Sequence, residues 1–117
     1  MHELPVTKSI LEIVLRHARG NRVDRISVIH LKIGALSDLE AEWLQMYFDH
    51  LARGTVAEGA RLEVTRSPLT FRCSSCFEDF SARREELDEV LCPRCGSQDA
   101  TVVSGTGYTV ESMEAQV

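Results

Sequence analysis

The segment from Cys73 to Cys95 reads CSSCFEDFSARREELDEVLCPRC, and it sets the fold of the region around it. It holds all four cysteines of the chain, as two Cys-x-x-Cys pairs with fifteen residues between them. Each pair forms a tight turn, here called a knuckle, that directs two sulphurs at one point. Two knuckles supply the tetrahedral four-sulphur set that Zn²⁺ accepts. We therefore predict that Cys73, Cys76, Cys92 and Cys95 bind one zinc ion.

Four sulphur ligands would leave no open position on the metal, so the predicted site is structural and not catalytic. Iron could occupy the same ligands, which would make the chain a redox protein. The cysteines could also form disulfides or stay as free thiols. Gly96 follows the second knuckle and tolerates a left-handed turn, whereas Phe77 follows the first, so we expect more backbone strain at Phe77.

Length and composition limit the remaining possibilities. A chain of 117 residues suits one domain, or one domain with a small insert. Its apolar fraction of 44% excludes a disordered chain, and its net charge of −5 argues against general binding to nucleic acid. There is neither a signal-peptide pattern nor an apolar run long enough to span a membrane, so we expect a cytoplasmic protein. Paired cysteines in that reducing compartment favour a metal site over disulfides.

Two helices are predicted before the cysteines. Residues 4–19 carry an apolar stripe at spacings of three and four, formed by Leu4, Ile10, Leu11, Val14, Leu15 and Ala18. A second helix is expected after Ser37, with Glu40 completing a capping box. Its apolar stripe is expected in the core and consists of Leu39, Trp43, Tyr47 and Leu51 at spacing four, with Leu44 and Phe48 beside them.

Alternating apolar residues predict strands over 23–33 and 61–65, and a final strand from residue 100 that bends at the glycines of 105–107. Residues 69–97 differ in character, because they are charged, poor in aliphatic residues and hold the cysteines. The pattern predicts two helices against about three strands, interrupted by a cysteine-bearing insert.

The N-terminus is the second candidate site. The amine of Met1 and the backbone amide and imidazole of His2 can bind one metal in fused chelate rings, a nitrogen set that suits Ni²⁺ or Cu²⁺. This pattern is weak by itself, because a histidine at position 2 is most often an exposed terminal residue.

Several motifs along the chain together resemble the HypA (HybF) family of hydrogenase nickel-insertion proteins. The resemblance covers nearly the full length and rests on the combination of motifs. Besides the two Cys-x-x-Cys pairs and the glycine-rich closing strand, these are Met1-His2-Glu3-Leu4, Leu31-Lys32-Ile33-Gly34, GTVAEGARLE at 54–63 and VESME at 110–114.

The resemblance implies a small metallochaperone and not an enzyme. It implies nickel bound by the Met1 amine, His2 and Glu3, and zinc bound by the four cysteines. The expected partners are a HypB-like GTPase, the large subunit of [NiFe] hydrogenase and, for some members, the urease maturation proteins. No nucleic-acid or membrane partner is expected.

The implied fold is α+β, with a mixed three-stranded sheet packed on two helices and a zinc-ribbon-like insert. The expected nickel-binding domain comprises 1–68 and 98–117, and the zinc-binding insert comprises 69–97.

Some positions depart from the family pattern or have competing roles. Pro5 stands where a serine is usual, Tyr108 replaces an acidic residue, and the gap between the cysteine pairs is longer. Asp38 or Glu40 could join the nickel ligands, although the favoured role of Glu40 is the capping box and that of Asp38 is a favourable contact with the helix dipole.

The competing hypothesis is a zinc-ribbon module that binds protein or nucleic acid without nickel. Residues 69–97 carry four arginines and six acidic residues, a local balance of −2, and lack interleaved basic and aromatic residues. An enzyme is disfavoured, because neither a catalytic triad motif nor a phosphate-binding loop occurs in the sequence.

Overall fold

The computed structural model describes residues 3–117, in which two α-helices and six β-strands form. The helices are α1 (Glu3–Gly20) and α2 (Ala41–Leu51). A single 3₁₀ turn spans Arg84–Glu86. The strands are β1 (Arg25–Gly34), β2 (Arg61–Ser67), β3 (Leu69–Cys73), β4 (Asp79–Ala82), β5 (Ala100–Ser104) and β6 (Tyr108–Gln116).

The chain divides into two compact units. The first comprises the chain up to Lys32, residues 38–65 and the part from Thr109 onward, and the second comprises 33–37 and 66–108. The functional division at 69–97 that the sequence suggests stays a prediction. Among the described residues, no helix is both long and apolar enough to cross a membrane.

Helices α1 and α2 pack together, and a three-stranded sheet has the order β2-β1-β6. Strand β1 is the central strand of this sheet and has four of the largest fully buried side chains. These are Ile26, Ile29, Leu31 and Ile33. The predicted class, two helices with a mixed sheet and a separate cysteine-bearing part, is confirmed.

The second sheet has the order β4-β3-β5 and carries a small core of its own. Strand β3 pairs antiparallel with both neighbours, so that Phe71 lies opposite Phe80 on β4 and Val102 on β5. Buried Leu69 and Phe71 form the centre of this core, and the rings of Phe71 and Phe80 stack with centroids 5.6 Å apart. This core is small, which is the condition under which a bound metal adds most to stability.

The predicted core stripe of the second helix is wrong in part. Trp43 is 51% exposed, whereas Leu44 and Phe48 are fully buried. The two stripes lie side by side on the helix, about 100° apart, so apolar spacing alone does not choose between them. The ring of Trp43 packs on its neighbour Tyr47 instead, with centroids 6.3 Å apart.

The predicted stripe of helix α1 is confirmed at Ile10, Val14 and Ala18 and is wrong at Leu4. Leu4 is 38% exposed, while Val6 is buried one turn before Ile10. Every fourth residue from Val6 to Ala18 is buried, which gives the continuous seam Val6, Ile10, Val14 and Ala18.

The predicted capping box between Ser37 and Glu40 does not form. Helix α2 begins at Ala41, and its N-cap residue Glu40 has extended backbone and makes no side-chain cap. The amide of Ser37 is used in a turn, where it donates to the carbonyl of Gly34 at 3.0 Å. Fully buried Leu39 lies between this turn and the helix.

The glycines at 105–107 do not bend one strand but separate two. Strand β5 belongs to the second sheet and β6 belongs to the first. Gly105 and Gly107 both have positive φ, at 106° and 79°. These values lie in a region that glycine adopts without cost, so the chain can leave one sheet and enter the other here.

Candidate metal centre

The four cysteine sulphurs lie together at the ends of the two knuckles, all within 4.8 Å of one another. Cys73 Sγ lies 3.5 Å from Cys95 Sγ, and Cys76 Sγ lies 3.5 Å from Cys92 Sγ. A tetrahedral ion with zinc–sulphur bonds of about 2.3 Å separates its ligands by about 3.8 Å. The donor set and its spacing therefore fit one tetrahedral ion such as Zn²⁺.

Both knuckles have the same backbone geometry. In the first, the amide of Phe77 donates to the carbonyl of Cys73 at 3.0 Å, and the amide of Cys73 donates to the carbonyl of Glu78 at 2.9 Å. In the second knuckle the corresponding bonds, from Gly96 to Cys92 and from Cys92 to Ser97, measure 2.8 and 3.0 Å. Cys73 is the last residue of β3, so the second sheet fixes where the first knuckle begins.

The residue after each knuckle takes the left-handed conformation, as the sequence predicts. Gly96 has φ of 76°, and Phe77 has φ of 62°. A phenylalanine pays a steric cost there that glycine does not. The expected backbone strain at Phe77 is present, and its side chain is 74% exposed.

Two contacts hold the knuckles to each other. The guanidinium of Arg94 pairs with the carboxylate of Glu78 at 3.3 Å, and the hydroxyls of Ser75 and Ser97 lie 3.3 Å apart. The sulphur cluster is buried on one side, at Cys73 and Cys92, and Cys95 is exposed. A metal bound here would be reached by solvent mainly along the Cys95 side.

The first knuckle separates the acidities of its two thiols. The backbone amide of Cys76 donates to Cys73 Sγ and lowers the pKa of Cys73 to about 6. The amide of Glu78 favours the Cys76 thiolate, but burial and the neighbouring sulphurs together raise the pKa of Cys76 to about 12.

In the second knuckle, too, the pKa of the first cysteine is lowered and that of the second is raised. Burial opposes ionisation of Cys92, but the amides of Cys95 and Arg94 lower its pKa. The amide of Ser97 favours the Cys95 thiolate, yet the Cys73 sulphur and burial raise the pKa of Cys95. Four thiolates this close repel one another, so a cation is needed to stabilise all four in the charged form.

The predicted N-terminal site lies only partly within the structure. Met1 and His2 fall outside the described residues, and Glu3 is the first residue of α1. The carboxylate of Glu3 accepts a hydrogen bond from the backbone amide of Glu40 at 3.1 Å. Sequence reasoning missed this contact, because it joins residues 37 positions apart.

The other histidines do not gather into a site. Among residues 3–117, the one group of three or more metal-ligating side chains close enough to share an ion is the four cysteines. In the first sheet, His30 Nε2 lies 2.8 Å from Glu114 Oε2. His17 and His50 are exposed on their helices.

The fold and the sulphur cluster define a small α+β metal-binding protein with a zinc-ribbon-like site. A family model described as "Hydrogenase/urease nickel incorporation, metallochaperone, hypA" matches residues 1–115. The chain therefore belongs to this HypA family of hydrogenase and urease nickel-incorporation metallochaperones.

Curated relatives agree over nearly their whole length. A hydrogenase maturation factor HypA from Dehalococcoides mccartyi is 35% identical over 97% of this chain and 93% of its own. A HypA factor from Aquifex aeolicus is 34% identical over 100% of this chain and 99% of its own.

Solved structures match the fold. The solution structure of the Ni metallochaperone HypA from Helicobacter pylori has a TM-score of 0.72 at 23% identity. That match covers 98% of this chain and 97% of the Helicobacter pylori chain. A second solution structure of a HypA protein has a TM-score of 0.74, also at 23% identity, and covers 99% of this chain and 97% of its own.

Proposed function

We propose that this chain binds Ni²⁺ as cargo through the Met1 amine, His2 and Glu3, and helps to insert it into the large subunit of [NiFe] hydrogenase. The observation that carries the proposal is the family match, which begins at residue 1 and includes Met1-His2-Glu3. The amine, the His2 amide and the His2 imidazole are nitrogen donors of the kind that nickel prefers.

The contact between Glu3 and Glu40 supports a binding site in this part of the first unit. It brings the first turn of α1 beside the segment that holds Asp38 and Glu40. Carboxylates there can add negative charge, and a further ligand, for a divalent cation. Because the ligands lie on one terminal segment, an acceptor protein can replace them one at a time.

Zinc is proposed as the resident metal of the sulphur cluster, with Cys73, Cys76, Cys92 and Cys95 as ligands. Its role is structural, because it would hold two knuckles that otherwise share only a small core. The cluster and the nickel site would then occupy different parts of the chain, with 69–97 serving zinc and 1–68 with 98–117 serving nickel. A tetrahedral thiolate site already filled by zinc does not compete for square-planar nickel.

Hydrogenase maturation implies protein partners. We propose a HypB-like GTPase as the source of nucleotide energy, since the sequence has no phosphate-binding loop of its own. The acceptor is the hydrogenase large subunit, and urease maturation proteins are a second destination. The site of action is the cytoplasm.

The test is a Ni²⁺ titration of the His2→Ala variant, with His17→Ala as the matched control because His17 is an exposed histidine on α1. Loss of nickel binding in His2→Ala alone, with zinc content and circular dichroism unchanged, supports the proposal. Nickel binding that survives in His2→Ala excludes His2 as the central ligand.

A further inference from the structure

The second unit contains a cavity that the metal sites do not use. It has a volume of about 450 Å³ and is lined by Ala35, Arg66, Ser67, Pro68, Arg83 and Glu85. Pockets that bind small molecules usually measure about 300–1,000 Å³. This cavity is therefore large enough for an organic ligand.

One lining residue of the cavity belongs to the core of the second sheet. Ala35 belongs to the same buried cluster as Leu69, Phe71 and Ala82. Most of the exposed wall is apolar. The wall of the cavity therefore suits an apolar body.

Among the described residues, the charged ones that line the cavity are Arg66, Arg83 and Glu85, and Glu86 lies beside them as the ion-pair partner of Arg83. Each guanidinium makes a contact within the second unit, although the Arg83 side chain is 80% exposed. Arg66 Nη1 donates to the carbonyl of Ser37 at 3.1 Å, and Arg83 Nε donates to Glu86 Oε1 at 3.0 Å. An arginine has five N–H donors in a planar fork, so Arg83 keeps donors for a carboxylate after binding Glu86.

We propose that this cavity binds a small organic carboxylate. Its apolar body would lie against Ala35 and Pro68, and its carboxylate would accept hydrogen bonds from the guanidiniums of Arg83 and Arg66. This inference does not depend on the nickel or zinc assignments.

The test titrates 4-phenylbutanoate, and separately its uncharged analogue 4-phenylbutanamide, into the purified 117-residue chain. Amide chemical shifts in the NMR spectrum locate the ligand and give Kd. We expect shifts at the amides of residues 35, 66, 67, 83 and 85, with the acid binding about tenfold more tightly than the neutral amide compound. Equal affinity for acid and amide, shifts elsewhere, or no binding overturns the proposal.

Three variants test the roles of the charges. Arg83→Gln should weaken the acid about tenfold, and Glu85→Gln should strengthen it, because a carboxylate of the lining loses its negative charge. Arg72→Gln is the control, since Arg72 lies in the same sheet, pairs with Asp79 and does not line the cavity. If Glu85→Gln leaves the affinity for the acid unchanged, or if Arg72→Gln alters it as much as Arg83→Gln does, the proposal is wrong.

Discussion

At the scale of single residues, the knuckles place two unlike side chains in one conformation. Phe77 and Gly96 both follow the second cysteine of a pair, and both have positive φ. Glycine adopts this conformation freely, whereas a side chain there costs about 1–2 kcal/mol. Removing the side chain at Phe77 should therefore relieve the strain, and adding a side chain at Gly96 should create it.

We expect Phe77→Gly to stabilise the metal-loaded chain by about 1 kcal/mol, because it relieves the left-handed strain and removes a side chain that is 74% exposed. Urea unfolding followed by circular dichroism measures the change. Gly96→Ala is the mirror control, since its added Cβ meets no atom within 4 Å and so adds strain without a clash. It should destabilise by a similar amount, and a stabilising Gly96→Ala would contradict this interpretation.

The thiol acidities give a prediction about metal uptake. At pH 7 the Cys73 thiol, with a pKa of about 6, is mostly ionised, whereas Cys76, with a pKa of about 12, keeps its proton. The pKa of Cys95 is raised as well. Zinc binds thiolates, so its binding should release at least the protons of Cys76 and Cys95, about two per ion.

The sign of the pH dependence follows from this release. Zinc affinity should rise with pH and fall as the solution becomes acidic, since protons compete with the metal for sulphur. Calorimetry at pH 7 in two buffers of different ionisation enthalpy counts the released protons. Equal heats in both buffers would mean that the thiols are already ionised before zinc binds.

At the scale of elements, the start of α2 depends on a partner from another helix. Glu40 has no side-chain cap, and its backbone amide donates to the carboxylate of Glu3. A negative group beside a helix N-terminus is favourable there. Glu3 therefore has a structural role in addition to the nickel role proposed for it, and a substitution at Glu3 would alter both.

The turn that leads out of β1 is packed too tightly for any side chain. A Cβ on Gly34 would lie 2.0 Å from the carbonyl oxygen of Gly105, and the amide of Gly34 donates to the carbonyl of Gly107 at 2.8 Å. The atoms that this Cβ would meet belong to the backbone of Gly105 and Thr106, so no side-chain rotation relieves the clash. This close approach explains why a glycine stands at the end of the strand.

We expect Gly34→Ala to destabilise the chain by about 3 kcal/mol, the upper range for overpacking. The loss should appear as a lower Tm in thermal unfolding of the metal-loaded chain. Gly20→Ala is the control, because a Cβ at Gly20 meets nothing within 4 Å and its φ is not positive. Equal Tm values for the two variants would show that the turn can relax.

Some features of these elements follow from local sequence patterns, and others depend on tertiary contacts. The cysteine cluster was predictable, because each Cys-x-x-Cys pair is a local turn with a defined outcome. The rotation of α2 was not, since Trp43 and Leu44 begin adjacent apolar stripes and only tertiary packing selects one. The separation of β5 from β6 was missed because strand partners are chosen by contacts distant in sequence, such as Phe71 with Val102.

At the scale of the whole molecule, the sulphur cluster belongs entirely to the second unit, and Glu3 belongs to the first. This division is consistent with one resident structural metal and one exchangeable cargo metal on different parts of a single chain. Family membership supports the nickel function, and the described residues supply the geometry of the sulphur site.

Calorimetry with two forms of the chain tests whether nickel binds at the free N-terminus, as proposed above. Ni²⁺ is titrated into the chain beginning at Met1 and into the same chain extended by Gly-Ser before Met1, while mass spectrometry measures zinc. We expect nickel to bind the first form and not the second, with one zinc per chain in both. If both forms bind nickel alike, or neither binds it, the N-terminal site is wrong and a zinc-ribbon interaction module becomes the better explanation.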